Sequence, residues 1–214
     1  VTTNAPIARA MRGPGGPAAT FVLESAMDAL AASLGQTPLA LRKAWDVSPL
    51  RQRLYAAAEA VPWYTTPVVG DDRFKRGVGL ASGVWPYFYQ PNTQITLTLE
   101  GGKLTASTAA QDIGNGTRTV IAESISQHLG ISRDLVTVLL GDSIYPTGVM
   151  SAGSRTTASV GPVAMDATDQ LIDALIDVAT AQFSLTAAKA VPGGIEHATG
   201  RLEWSQVFKV APRI

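Results

Sequence analysis

The sequence predicts an α+β fold in two subdomains: helices first, then a small mixed or antiparallel sheet with helices packed on it. Three observations predict it. Apolar residues between 18 and 60 recur at helical spacing and are punctuated by Gly and Pro. From 93 to 109 the pattern alternates about Gly101-Gly102, the mark of a two-residue hairpin. Two more helical stretches, 117–129 and 159–183, flank a strand-like run at 136–140. The boundary is expected near residue 70, giving a helical segment over 1–70 and an α+β subdomain over 71–214.

In order, residues 4–17 hold Asn4-Ala5-Pro6 and then Ala10-Met11-Arg12-Gly13-Pro14-Gly15-Gly16-Pro17. That density of Gly and Pro excludes helix and central strand. The segment is either a tight turn with exposed N–H groups beside one guanidinium, or a flexible linker. Arg12 then either grips an oxyanion through two donors or caps a neighbouring helix C-terminus. A helix over 18–34 places Leu23, Met27, Leu30, Ala31 and Leu34 on one face and stops at Gly35. Thr37 caps a second helix, reaching about 44, with Pro38 in its first position. A third spans 50–60 and halts near Pro62. Residues 77–85 read as a glycine-rich strand.

Ile95, Leu97 and Leu99 alternate with Thr96 and Thr98, and 103–109 returns after the hairpin. The helix over 117–129 carries Ile121, Ile125 and Leu129 on one face, with Gly130 as its stop. The helix over 159–183 is expected to bury Val160, Val163, Ala164, Ala167, Leu171, Ala174, Leu175 and Val178. The tail offers Gly193-Gly194, a short strand near 201–203 and a helical turn over 204–208. A two-stranded hairpin between helices is thin for a stable sheet, so a partner sheet from a missing part of the chain is expected.

Bulk properties narrow the chemistry. With 46% apolar residues over 214 positions, the chain can bury a real core. A net charge of zero gives no reason to expect nucleic acid or an acidic membrane surface as partner. No cysteine excludes disulfides, iron–sulfur ligation and thiol nucleophiles within these residues. His128 and His197 are too few for a histidine metal site and read as structural. No apolar run is long enough to span a bilayer.

Two loops carry the strongest internal signal. Gln111-Asp112-Ile113-Gly114-Asn115-Gly116-Thr117-Arg118-Thr119 and Ser151-Ala152-Gly153-Ser154-Arg155-Thr156-Thr157 each end a strand and open a helix. Gly, Ser, Thr and Asn supply main-chain and side-chain donors suited to anions and heterocycle edges, and a helix start favours anions. Ordinary strand-to-helix turns use the same residues. Neither Gly114-Asn115-Gly116 nor 77–83 is a nucleotide fingerprint, for lack of a following Gly-Lys-Ser/Thr or helix. Glu24, Asp28, Glu123 and Asp173 lie on helices and read as solvated or ion-paired. No acid pair stands in an apolar setting that suggests general acid–base work.

These blocks together resemble the molybdopterin-binding large subunit of the molybdenum hydroxylases, the xanthine dehydrogenase and aldehyde oxidase family. The resemblance rests on Ala10 to Pro17, Glu24, Met27-Asp28, Leu34-Gly35, Pro38 and Leu41-Arg42. It continues through Asp112 to Thr119, Leu129-Gly130-Ile131, Val136, Gly141-Asp142-Ser143, Pro146, Gly153-Ser154-Arg155-Thr156 and Gly161, and so covers about 4–180. The style is closer to bacterial isoquinoline or aldehyde oxidoreductase subunits than to the animal enzymes. The resemblance implies that Arg12 and Gly13 lie beside the metal and its dithiolene. It implies that Gly114, Asn115 and Gly116 contact the cofactor, with Asn115 where the family usually has glutamine. It implies that Gly153, Ser154, Arg155 and Thr156 bind pterin and phosphate groups. Pro14 stands where some animal members place an aromatic residue that sandwiches substrate.

The implied reaction is hydroxylation of an aldehyde or N-heterocycle with oxygen from water. The implied cofactor is molybdopterin, in its plain or cytosine dinucleotide form. Electrons would leave through iron–sulfur and flavin domains or subunits. The family's glutamate base sits in a Gly-x-Gly-Glu segment far downstream, and Gly193-Gly194-Ile195-Glu196 is too early to be it. Residues 1–214 are therefore expected to be a central fragment with no catalytic base or metal ligand of its own. On that expectation the isolated chain holds little cofactor and depends on the rest of the large subunit. A non-enzymatic scaffold or assembly module derived from the family is the alternative. The expected compartment is the cytoplasm, with the periplasm open.

Overall fold

The computed structural model describes residues 4, 12–61, 73–74, 77–86 and 88–214. The chain divides into two compact units, 1–86 and 87–214. The boundary expected near 70, the segment 5–11 and Pro62 lie outside the described residues.

The first unit is helical: α1 (Gly16–Ser33), α2 (Pro38–Trp45) and α3 (Pro49–Glu59). Gly35, at φ +64, ends α1 in a Schellman turn, with Gln36 N–H on Ala31 O and Gly35 N–H on Ala32 O. Thr37 caps α2 by accepting from Ala40 N–H at 3.1 Å. The buried face of α1 differs from the expected one. Glu24 and Ala31 are buried, while Leu23 and Leu34 stay exposed. An ion pair causes the rotation. Arg42 of α2, only 2% exposed, donates to Glu24 Oε2 and Asp28 Oδ1, each at 2.8 Å. Glu24, Asp28 and Ala31 follow the i, i+4, i+7 spacing of one face. Burial opposes the Arg42 charge, but its bonds to Asp28 and Glu24 outweigh that and raise its pKa.

Residues 77–86 form no strand, contrary to expectation. Ser82 instead donates its N–H to Glu24 Oε2 at 2.8 Å, and its hydroxyl lies 3.2 Å from Tyr55 Oη. Tyr55 reaches Asp46, which also accepts from Arg51 and from Ser48 N–H. These bonds, the one from Arg51 first among them, pull the Asp46 carboxyl down from 3.8 to about 2. A carboxyl depressed on folding stabilises the fold above its unfolded pKa and loses that contribution as pH falls. The first unit is therefore expected to lose stability between about pH 4 and pH 2 through Asp46. In Asp46→Asn the thermal midpoint should depend less on pH across that window.

The second unit begins with the hairpin. β1 (Thr96–Glu100) and β2 (Lys103–Thr108) pair antiparallel, and Gly101 and Gly102 sit at φ +56 and +77, a type I′ turn. α4 (Thr117–Leu129) then crosses over to β3 (Val136–Leu140), parallel to β2. The sheet order is β1-β2-β3. The third strand, β3, is supplied by this chain. Ile121, Ile125 and Leu129 are fully buried, as their spacing predicts.

α5 (Thr156–Phe183) begins three residues earlier than expected. Its buried stripe is Thr156, Ser159, Val160, Ala164, Thr168, Leu171, Leu175 and Ala179. Val163, Ala167, Ala174 and Val178 flank it, half-buried. The stripe admits hydroxyls because they bond back to the helix: Thr168 Oγ1 donates to Ala164 O at 2.7 Å and Ser159 Oγ to Arg155 O at 2.8 Å.

The tail is richer than one strand. β4 (Lys189–Val191), β5 (Gly194–His197) and β6 (Gly200–Glu203) make an antiparallel sheet, and α6 (Trp204–Val210) follows. Buried Trp204 ties it to α4 by donating to Leu129 O at 2.9 Å. His128 bridges α4 and α5 through Asp169 at 2.6 Å. His197 ends β5 instead of lying in a loop.

Candidate functional site

β2 and β3 are adjacent and parallel, with Thr108 opposite Leu140. The loops that follow them, 109–116 and 141–155, therefore leave the same carboxyl edge of the sheet. Open α/β sheets bind ligands at that edge. The loops are joined to each other. Ala109 N–H donates to Pro146 O at 2.7 Å, and Ser151 Oγ to Gln111 O at 2.6 Å. Gln111 O also accepts from Thr117 Oγ1 at 3.0 Å. Thr156, buried at the start of α5, has its hydroxyl 3.5 Å from that of Ser151. Gln111 is thus the hub of the arrangement.

The start of α4 already holds an anion, which belongs to the chain. Asp112 Oδ1 accepts from Gly114 N–H at 3.0 Å and Gly116 N–H at 3.2 Å, and Oδ2 from Arg118 N–H at 3.1 Å. These bonds, led by that from Arg118, hold the Asp112 carboxyl below its usual value. A carboxylate so bound is a poor proton acceptor. Asn115 is exposed; its Oδ1 accepts from Ile113 N–H at 3.2 Å and lies 3.2 Å from Thr117 Oγ1. Its NH2 is left as the outward donor of the turn.

The second loop presents a cation. Gly153 and Ser154 are successive left-handed residues, at φ +66 and +56. Arg155 then caps α5, and its guanidinium folds back over Gly153, where an added Cβ would lie 3.2 Å from Nη2. Arg155 Nη1 reaches Gln90 Oε1 at 3.4 Å, a long contact. Arg155 Nε is buried with no hydrogen-bond partner among the described residues. Leaving a buried donor unsatisfied costs about 1–3 kcal/mol, and more for a charged group. An external oxygen acceptor at this point would remove that cost, so the donor set fits an anionic or carbonyl-bearing ligand.

Arg12 and Gly13 belong to the first unit. The turn is tight where it is described: Gly16 N–H donates to Gly13 O at 2.9 Å, and Arg12 is left-handed at φ +38. Trp85 packs on it so closely that a Cβ on Gly16 would lie 3.1 Å from the ring. Arg12 itself is exposed.

Three contributors escaped the sequence reading. Asp112 beside a Gly-x-Gly helix start carries a capping signature that was legible. Gln90 lies 65 positions from Arg155 and gives no local signal. Gly148 abuts the main chain of Ala109 and Ala110, a contact that no motif announces. Among the described residues, no helix is long and apolar enough to cross a membrane.

Comparisons with known proteins identify the family. Models of the molybdopterin cofactor-binding domain match residues 57–213 and 1–45. The aldehyde oxidoreductase molybdenum-binding subunit PaoC of Escherichia coli (strain K12) is 30% identical over 169 residues, covering 71% of this chain and 23% of PaoC. The xanthine dehydrogenase molybdenum-binding subunit of Escherichia coli O157:H7 is 28% identical over 152 residues, covering 60% of this chain and 20% of that subunit. This chain thus spans less than a quarter of the length of these relatives. Two solved structures share the fold. The Cu,Mo-CO dehydrogenase aligns at TM-score 0.65 and 16% identity over 89% of this chain and 30% of that one. The aldehyde oxidoreductase of Desulfovibrio desulfuricans ATCC 27774 aligns at TM-score 0.56 and 24% identity, over 78% of this chain and 21% of that one. With the family's domain models matching most of its length, the chain belongs to the molybdopterin cofactor-binding domain of the molybdenum hydroxylase large subunits.

Proposed function

We propose that this chain supplies the cofactor-holding loops of an oxidoreductase that hydroxylates aldehydes or N-heterocycles with oxygen from water. The buried, unpartnered Nε of Arg155 carries the reading. Arg155 donates to a phosphate or pterin oxygen, with Ser154 and Thr156 beside it. Asn115 offers its NH2 from the facing loop, and Gly114 and Gly116 let the ligand approach the main chain closely. Arg12 and Gly13 are assigned to the same cofactor by resemblance. When bound, molybdopterin supplies the metal-centred redox and oxygen-transfer chemistry.

The proton acceptor comes from outside these residues. Asp112 is held as a carboxylate by three main-chain donors, and Asp142 accepts from Ile144 N–H in its own loop at 3.0 Å. The chain acts within a larger subunit, alongside iron–sulfur and flavin partners, and turns over no substrate alone. The relatives' description as molybdenum-binding subunits supports this reading.

Arg155→Met in the assembled large subunit is the test, with released pterin and bound molybdenum quantified. A charged hydrogen bond contributes about 1.5–3 kcal/mol, so retention should fall roughly 10- to 100-fold. The thermal midpoint of the cofactor-free chain should change little, because Nε has no partner among the described residues and the Nη1–Gln90 contact is long. Unchanged retention, or a loss of stability in place of retention, would refute the assignment.

A further inference from the structure

Gln90-Pro91-Asn92-Thr93 is built to turn, with proline in the second position that such turns favour. Thr93, itself buried, closes the turn. Its N–H donates to Gln90 O at 3.2 Å and its hydroxyl to the same atom at 2.9 Å. On the other side, Gln90 N–H donates to Ser159 Oγ at 2.9 Å. Ser159 is fully buried in the first turn of α5, and its hydroxyl donates to Arg155 O at 2.8 Å. Gln94 N–H adds a bond to Thr147 O at 2.8 Å. Residues 90–94 are thereby strapped to the loop over 141–155 and to the start of α5.

Both main-chain groups of Gln90 are fixed, and with them the origin of its side chain. That side chain meets Arg155 Nη1 at 3.4 Å. A guanidinium only donates, so the facing atom is the carbonyl oxygen, Oε1. The contacts close a circuit. Ser159 links Arg155 O to Gln90 N–H, and Gln90 Oε1 returns to Arg155 Nη1.

The partner in this circuit is neutral. Among the described residues, no carboxylate forms an ion pair with Arg155. Arg155 also stands at the start of α5, where the helix dipole favours negative charge. A glutamate at position 90 would have the same reach as glutamine, but it would cancel the charge that an anionic ligand needs.

We propose that Gln90 is a positioning residue for Arg155: its carbonyl orients the guanidinium and leaves the positive charge free for the anionic part of the cofactor. The contact is long, so it steers the side chain more than it stabilises the fold. The proposal rests on the cofactor-binding role given to Arg155 above.

The test uses the assembled large subunit with Gln90→Met, Gln90→Glu, Arg155→Met, and Gln90→Met combined with Arg155→Met. Bound molybdenum and released pterin are quantified, and the thermal midpoint is taken on the cofactor-free form. Gln90→Met should lower retention about 3- to 10-fold, the range of one modest hydrogen bond. It should add no further loss beside Arg155→Met, because the two residues act as one unit. Gln90→Glu should raise the cofactor-free midpoint by pairing with Arg155, and yet lower retention at least about tenfold. A residue that merely supports the fold moves both readings in one direction. Parental retention in Arg155→Met removes the role of Arg155 and this proposal with it. A loss in Arg155→Met with parental retention in Gln90→Met overturns the proposal alone. So does a Gln90→Met loss that persists in full beside Arg155→Met, or a Gln90→Glu subunit that retains cofactor as well as the parent.

Discussion

Gly148→Ala is expected to unfold the edge of the second unit that carries both loops. A Cβ at this position would lie 1.8 Å from Ala110 N and 2.4 Å from Ala109 C. Both are main-chain atoms at the exit of β2, so no flexible side chain can yield. The loop cannot slide away either. Pro146 O accepts from Ala109 N–H at 2.7 Å and Thr147 O from Gln94 N–H at 2.8 Å, so relief would break bonds on the near side of Gly148. Overpacking costs about 1–3 kcal/mol, and more when only backbone can move. The expected loss is at least about 3 kcal/mol, a fall in Tm on the order of 10 °C by calorimetry. Pterin retention in the assembled subunit should fall with it, because Ala110 precedes Gln111, the residue that joins the loops. A Tm within about 2 °C of the parent would mean that the loops are not held this closely.

Local physics made much of the second unit legible. Ile121, Ile125 and Leu129 are a clean helical face, and Gly101-Gly102 has the one turn geometry that suits a twisted hairpin. The α5 stripe was offset because hydropathy alone excludes Ser159 and Thr168, whose hydroxyls are satisfied inside the helix. The glycine-rich run 77–85 misled for the opposite reason: its residues suited a strand, but the bond that fixes Ser82 runs to Glu24, 58 positions away. At the site, spacing located both loops and Arg155. It did not show that Asp112 occupies the helix start, because the competition between an internal carboxylate and an external anion is decided by geometry. Nor could it show the orphaned Nε, which exists only once Gly153 allows the guanidinium to fold back.

The first unit depends on the charge of Arg42, whose burial the sequence alone does not show. Arg42→Ala should cost it about 3–5 kcal/mol, the penalty for stranding a buried partner. Glu24 is 8% exposed and would keep only Ser82 as donor to its carboxylate. Asp28, with its side chain 44% exposed, can turn to water and adds little. The pair itself need not be strongly stabilising, since buried ion pairs replaced whole by apolar residues are often neutral. Arg42→Met combined with Glu24→Met should therefore recover most of the loss in urea denaturation, leaving about 1–2 kcal/mol for the freed Ser82 N–H. Equal losses in the single and double variants would move the weight elsewhere. Arg42 also donates to Pro38 O at 3.0 Å and to Glu24 O at 3.2 Å, so such a result would make it a main-chain clamp between α1 and α2. Salt separates the outcomes further. A pair excluded from solvent is weakly screened, so the single-variant loss should persist at high ionic strength.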